Sequence, residues 1–208
     1  MMNLYSSLFN QCDMAASQIL VTQSDFADPV RLNNLKYSIE RLLGLGIIPI
    51  INENDAVSAN LGYTADDIFS DNDSLAGLCA RNFDAEVLLL LTDVEGVFDK
   101  PPSEPGARKL EVYIPNASDV AIGEKSAQGR GGMAAKIAAA STAVAPGSSC
   151  SACVVAPGTD LDSIRAILGK EYKYETKGTL FVTPGTDLEK HAIQDMKTAA
   201  VSQDDSMS

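Results

Sequence analysis

A chain of 208 residues and 22.0 kDa has the length of one ordinary domain, or of one and a half small ones, and is long enough to bury a core. With 45% hydrophobic and 21% charged residues its composition is globular, which excludes the disordered and fibrous classes. A formal charge of −12 argues against a general nucleic-acid binder, because phosphate backbones are held by Lys and Arg.

In chain order, Met1, Met2, Leu4, Tyr5, Leu8 and Phe9 fall on one face of a 3.6-residue period, so MMNLYSSLFNQC predicts an amphipathic helix. Nothing before it serves as an N-cap or entry strand, which reads either as a frayed N-terminal helix or as a chain that begins part-way into a fold. SQILVT (17–22) is strand-like. Asp28 then caps a helix with Pro29 in its first turn and an apolar stripe of Leu32, Leu35, Ile39, Leu42 and Leu43; Gly44 and Gly46 end it. IIPII (47–51) is a short apolar strand, a further helix begins near DNDSLAGLCA, and EVLLLLT (86–92) has the character of the most buried strand. SACVVA (151–156) and GTLFV (178–182) are strands separated by a short helix at LDSIRAILG. Strands apolar throughout, alternating with helices, predict an α/β fold with a mainly parallel sheet covered on both faces.

Two stretches fall outside this alternation and are expected to be long loops: the acidic NENDAVSANLGYTADDIF (52–69) and the proline-rich DKPPSEPGARKLEVYIPNASDV (99–120). From Pro184 the chain turns polar, which predicts a flexible tail over 184–208. Apolar runs such as VLLLLT are far too short to cross a bilayer and no basic-then-apolar leader opens the sequence, so a soluble protein without membrane partners is expected. Four cysteines, Cys12, Cys79, Cys150 and Cys153, are too few and too uneven for a secreted disulfide framework. The CSAC pair has no second pair to complete a tetrahedral site, and ordinary buried or loop thiols are expected.

In an open parallel sheet, ligands sit beyond the carboxyl ends of the strands. Polar residues cluster there: Asn52, Glu53, Asn54 and Asp55 after IIPII, Asp71 to Ser74 at the next helix start, and Thr92 and Asp93 after EVLLLL. GRGGMAAK (129–136) adds a glycine-rich loop and Lys136. Each cluster alone has a plainer explanation as a turn or an N-cap. Their convergence on one sheet edge points to function. Without Ser–His pairs or a reactive Cys the inventory does not suit covalent acyl chemistry. Phosphoryl transfer needs positioned phosphates, a lysine to neutralise charge and carboxylates to organise it, and these are present. The loop is neither a Walker sequence nor a dinucleotide fingerprint.

IIPIINENDAV, DNDSLA, LLLLTDVEGVFDKPP and GRGGMAAKIAAA, in this order and at these intervals, resemble the glutamate 5-kinase family, most closely the kinase half of delta-1-pyrroline-5-carboxylate synthases. The likeness extends upstream through MNLYSSLFNQC and downstream to KGTLF. It implies the amino acid kinase fold, a three-layer α/β/α sandwich, over 1–183, and ATP- and Mg²⁺-dependent phosphorylation of the L-glutamate side chain to glutamyl 5-phosphate, the first step toward proline. It implies that Asp55 and Asn72 hold the amino acid, that Asp73 is catalytic and organises lysines, and that Thr92 and Asp93 belong to the nucleotide site. Arg130, Gly131, Gly132, Met133, Ala134, Ala135 and Lys136 would form the nucleotide loop, Lys136 doubling as a catalytic cation; no residue is singled out as a metal ligand. A cytoplasmic homo-oligomer, with proline as a feedback inhibitor, goes with the same resemblance. The family begins with a strand and glycine turn carrying another phosphate-contacting lysine, for which this sequence has no match, so the N-terminal strand–helix unit is expected to be lacking. The alternatives are a non-catalytic remnant that binds glutamate, proline or a full-length kinase partner, and a sister kinase acting on another carboxylate or carbamate.

Overall fold

In the computed structural model, which describes residues 2–57, 71–115, 132–168, 178–191 and 194, strand and helix alternate as predicted, in two units, Met1–Leu75 and Ala76–Ser208. The first contains α1 (Met2–Asn10), β1 (Ala15–Val21), α2 (Gln23–Ala27), α3 (Pro29–Gly44) and β2 (Ile47–Glu53). β1 and β2 pair in parallel, from Ala15 opposite Ile47 to Val21 opposite Glu53.

The predicted cap builds α3: Asp28 Oδ1 accepts the Val30 N–H at 2.8 Å and the Arg31 N–H at 3.1 Å, while Pro29 occupies a first position that needs no donor. Ile39 is buried and Leu32, Leu35 and Leu42 are half-buried, but Leu43, predicted to join them, is 58% exposed. Leu43, four residues after Ile39, keeps the three-four spacing but lies at the edge of the stripe in the last turn, next to Gly44, and stays exposed. Gly44 is the last helical residue, and Gly46, at φ +71°, turns the chain into β2. α1 departs further from expectation: Met2, Ser6 and Phe9 are half-buried, whereas Leu4 is 63% and Leu8 51% exposed. Apolar periodicity marks a helix without saying which side of it meets β1. Met1 lies outside the described residues.

Unforeseen in the sequence, α2 is held by a carboxylate at its third position. Asp25 Oδ2 accepts the Thr22 N–H at 2.6 Å and the Thr22 hydroxyl at 2.8 Å, and Oδ1 accepts from Arg31 Nη2 at 2.7 Å. Burial works against the charge on Asp25, but these hydrogen bonds outweigh it and hold the carboxyl below its ordinary value.

Next in the chain is α4 (Asn72–Asn82), and the second unit continues with β3 (Val87–Thr92), β4 (Val112–Tyr113), α5 (Met133–Ala143), β5 (Ala152–Pro157), α6 (Leu161–Leu168) and β6 (Thr179–Val182). Its sheet has the order β3-β5-β6-β4, with β3–β5 and β4–β6 parallel and β5–β6 antiparallel. The sheets are mainly parallel, as expected. The antiparallel pairing was not legible, because a strand that is apolar throughout carries no mark of direction.

Successive strand residues alternate between two cores. Leu88, Leu90, Cys153, Val155 and Phe181 pack with Ala80 of α4 and Ile137, Ala140 and Ala143 of α5. Leu89, Ala152, Val154, Ala156, Leu180 and Val182 pack on the opposite face with Ile167 of α6. The second unit is therefore an α/β/α sandwich. α4 and α5 pack closely where glycine permits it, since a Cβ at Gly77 of α4 would stand 2.6 Å from the Ala139 carbonyl oxygen of α5.

Over 99–115 the proline-rich excursion is more regular than predicted; 116–120 lie outside the described residues. Phe98 and Lys109 bridge as in an antiparallel hairpin, with the Asp99 N–H to the Arg108 carbonyl at 3.0 Å and the Leu110 N–H to the Val97 carbonyl at 2.8 Å, and β4 follows. Of the predicted acidic loop, 58–69 lie outside the described residues. In the predicted tail, 187–191 are helical, with Glu189 N–H bonded to the Thr186 hydroxyl at 3.2 Å; beyond Gln194 the chain is not described.

Candidate functional site

Parallel pairing puts the carboxyl ends of β3 and β5 together, with Thr92 opposite Pro157. At this edge lies a cleft of about 530 Å³, within the range of small-molecule sites. The end of β3 supplies Leu91, Thr92, Asp93 and Val94; the first turn of α5 supplies Gly132, Met133 and Lys136; Gly158 follows β5. The Thr92 hydroxyl donates to Asp93 Oδ1 at 3.2 Å, and the Gly158 N–H donates to the Thr92 carbonyl at 2.8 Å. Gly132 is the extended N-cap residue of α5, and among the described residues no side-chain cap is seen there. A helix start of this kind turns N–H groups and the positive end of its dipole toward an anion, and here a lysine stands beside it. The combination suits a polyphosphate.

Of the predicted nucleotide residues, Thr92, Asp93, Gly132, Met133 and Lys136 line this cleft. Ala134 and Ala135 sit in the first turn of α5 between them, and Arg130 and Gly131 lie outside the described residues. Gly158 was not a sequence candidate. The signal that marks it is the one used for the other strands, a turn residue directly after an apolar run. A Cβ there would come within 3.3 Å of the Leu91 Cβ, so glycine lets the end of β5 close onto β3.

The predicted amino-acid-side residues belong to the first unit. Asn52 and Glu53 are part of β2 rather than of a loop, and Asp55 is exposed in the turn that follows. The Asn54 N–H donates to the Val21 carbonyl at 2.8 Å, which ties the start of that turn to the end of β1. At the start of α4 the capping is done by Asp71 and Ser74: Asp71 Oδ1 accepts the Ser74 N–H at 2.7 Å, and the Ser74 hydroxyl oxygen accepts the Asp71 N–H at 3.2 Å. Asn72 and Asp73 occupy the first helical positions behind this cap.

Burial pushes the Cys79 thiol up to about 12 and raises Cys150 and Cys153 as well, so these three are poor nucleophiles at neutral pH, in line with the expectation of ordinary thiols. Among the described residues no helix is long and apolar enough to cross a membrane.

Residues 1–155 match the model of the amino acid kinase family. Delta-1-pyrroline-5-carboxylate synthase 2 of Oryza sativa subsp. japonica is 43% identical over 185 residues, covering 87% of this chain and 24% of its own length. The synthase of Mesembryanthemum crystallinum is 37% identical over 207 residues, covering 96% and 28% respectively. Glutamate 5-kinase of Bifidobacterium longum (strain DJO10A) is 39% identical over 152 residues, covering 71% and 39%. The chain thus spans about a quarter of the length of the synthases it matches. In fold it is similar to T. acidophilum isopentenyl phosphate kinase, with a TM-score of 0.50 at 17% identity, over 83% of this chain and 62% of that one. The matched residues include the cleft from Leu91 to Lys136, and the chain belongs to the amino acid kinase family.

Proposed function

We propose that the protein transfers the γ-phosphoryl group of ATP to the side-chain carboxylate of L-glutamate, giving glutamyl 5-phosphate and ADP in the first step of proline biosynthesis. The observation that carries this reading is the cleft where β3, β5 and the start of α5 converge with Lys136, in a chain whose relatives are named glutamate 5-kinase and delta-1-pyrroline-5-carboxylate synthase.

The chemistry asks little of the protein beyond placement and charge. A glutamate carboxylate is already ionised at neutral pH, so the nucleophile needs no general base. One of its oxygens bonds to the γ-phosphorus while the bond to the bridging oxygen breaks, and ADP leaves with that electron pair. Negative charge on the transferring group is met by the Lys136 ammonium and by the N–H groups at the start of α5. Thr92 and Asp93, with Arg130 and the glycines 131 and 132, hold the nucleotide. On the acceptor side the resemblance assigns the α-ammonium to Asp55, the α-carboxylate to Asn72, and the organisation of the cations to Asp73.

Among the described residues no group of three or more His, Cys, Asp or Glu fits a protein-held metal. The resemblance implies Mg²⁺ together with the nucleotide, where it would offset phosphate charge. Proline as a feedback ligand, a homo-oligomer and a cytoplasmic location belong to the same proposal and rest on the resemblance.

The test is glutamate-dependent acyl phosphate formation, trapped with hydroxylamine as the hydroxamate. The expected result is hydroxamate only when ATP, Mg²⁺ and L-glutamate are all present. Glutamate or proline binding with no hydroxamate would replace the kinase reading by that of a binding remnant.

A further inference from the structure

GTLFV forms β6, but strand formation leaves its threonine without a task. Thr179 is fully buried in an otherwise apolar strand. Its hydroxyl accepts the Val97 N–H at 2.8 Å and donates to the Leu110 carbonyl at 2.6 Å, across 82 and 69 residues of sequence. Val97 and Leu110 are also joined to each other, through the Leu110 N–H, at 2.8 Å. The hydroxyl therefore closes the root of the 97–110 hairpin. Next to it, Gly96 has φ +146°, and a Cβ there would stand 2.8 Å from Thr179 Oγ1, so glycine is what lets the chain pass this close. Immediately upstream, Asp93 and Val94 line the cleft, in a run of bends from 93 to 96 that belongs to no helix or strand.

We propose that Thr179 is a positioning residue for the nucleotide: by anchoring Val97 it sets where Asp93 and Val94 stand in the cleft. The inference rests on the nucleotide reading given above. Replacing the hydroxyl by a methyl of the same shape would leave a buried N–H and a part-buried carbonyl each short of a partner. The segment nearest to relieving that loss is the one between the anchor and the site. A displacement of about 1 Å at such a site costs on the order of 10²-fold in rate.

The test compares Thr179→Val, Thr179→Ser and a stability control, Val182→Ala, which thins the opposite face of the same strand without touching the hairpin root. ATP affinity is measured by titration calorimetry, thermal stability by melting, and exchange of the 93–97 amides by deuterium uptake. Thr179→Val is expected to weaken ATP binding at least tenfold and to speed exchange at 93–97; Thr179→Ser restores both; Val182→Ala lowers the melting temperature with ATP affinity unchanged. If Thr179→Val does not fold, Gly96→Ala pushes on the same hydroxyl from the other side and must weaken ATP binding as well. Wild-type ATP affinity in Thr179→Val or Gly96→Ala, or equal loss in Val182→Ala, overturns the inference alone. A wild-type chain that binds no ATP overturns the nucleotide reading, and this inference with it.

Discussion

Lys136 stands one turn into α5, so the charge of its side chain and the positive end of the helix act on the same cleft. Lys136→Ala should lower turnover about 10²- to 10³-fold, the cost of losing one preorganised charge at a transition state, with the circular dichroism spectrum unchanged. Asp73→Asn should abolish turnover, again with the fold intact; normal rates in either variant would remove that residue from the mechanism. Asp55→Ala should chiefly raise the KM for glutamate, and a change in ATP affinity instead would reassign Asp55 to the nucleotide side. Thr92 and Asp93 follow the apolar run EVLLLL directly, a local signal that marked them as candidates, and the structure brings them to one cleft with Lys136. Gly158 follows the same rule after β5. It is harder to see because its value is an absent side chain, which matters only once Leu91 is known to stand opposite.

Helix boundaries were readable where a side chain closes its own turn. Asp28 takes two of the orphan N–H groups of α3, and Asp28→Ala should cost about 1 kcal/mol, read as a lowered midpoint in urea with an unchanged slope. Asp71 and Ser74 do the same for α4, which leaves Asn72 and Asp73 in the first turn. Less was legible in the faces of the helices. The periodicity of α1 is genuine, yet Leu4 and Leu8 are exposed, and Leu43 lies at the exposed edge of the stripe of α3. A hydrophobic period is a property of one segment; the side that becomes buried depends on the segment it meets. The 97–110 hairpin was hidden for a related reason. Its prolines and glycine look like loop, and what orders its root is a threonine that comes 82 residues after Val97.

At the scale of the molecule, three thiols are shielded by the packing of the second unit while Cys12 is exposed. With iodoacetamide at neutral pH, mass spectrometry should find Cys12 alkylated in the native protein and Cys79, Cys150 and Cys153 alkylated only in denaturant; rapid native labelling of Cys153 would show that the sheet opens locally. The strand-and-helix alternation, the caps, the polar clusters behind the strands and the family resemblance all followed from residues a few places apart, because periodicity and hydrogen-bonded turns are short-range physics. Strand order, the reversed β6, the fit of Gly77 against Ala139 and the anchoring of Val97 by Thr179 did not. They depend on which distant segments touch, and contacts of that kind are selected by the packing of the whole chain rather than by the preferences of any stretch of it.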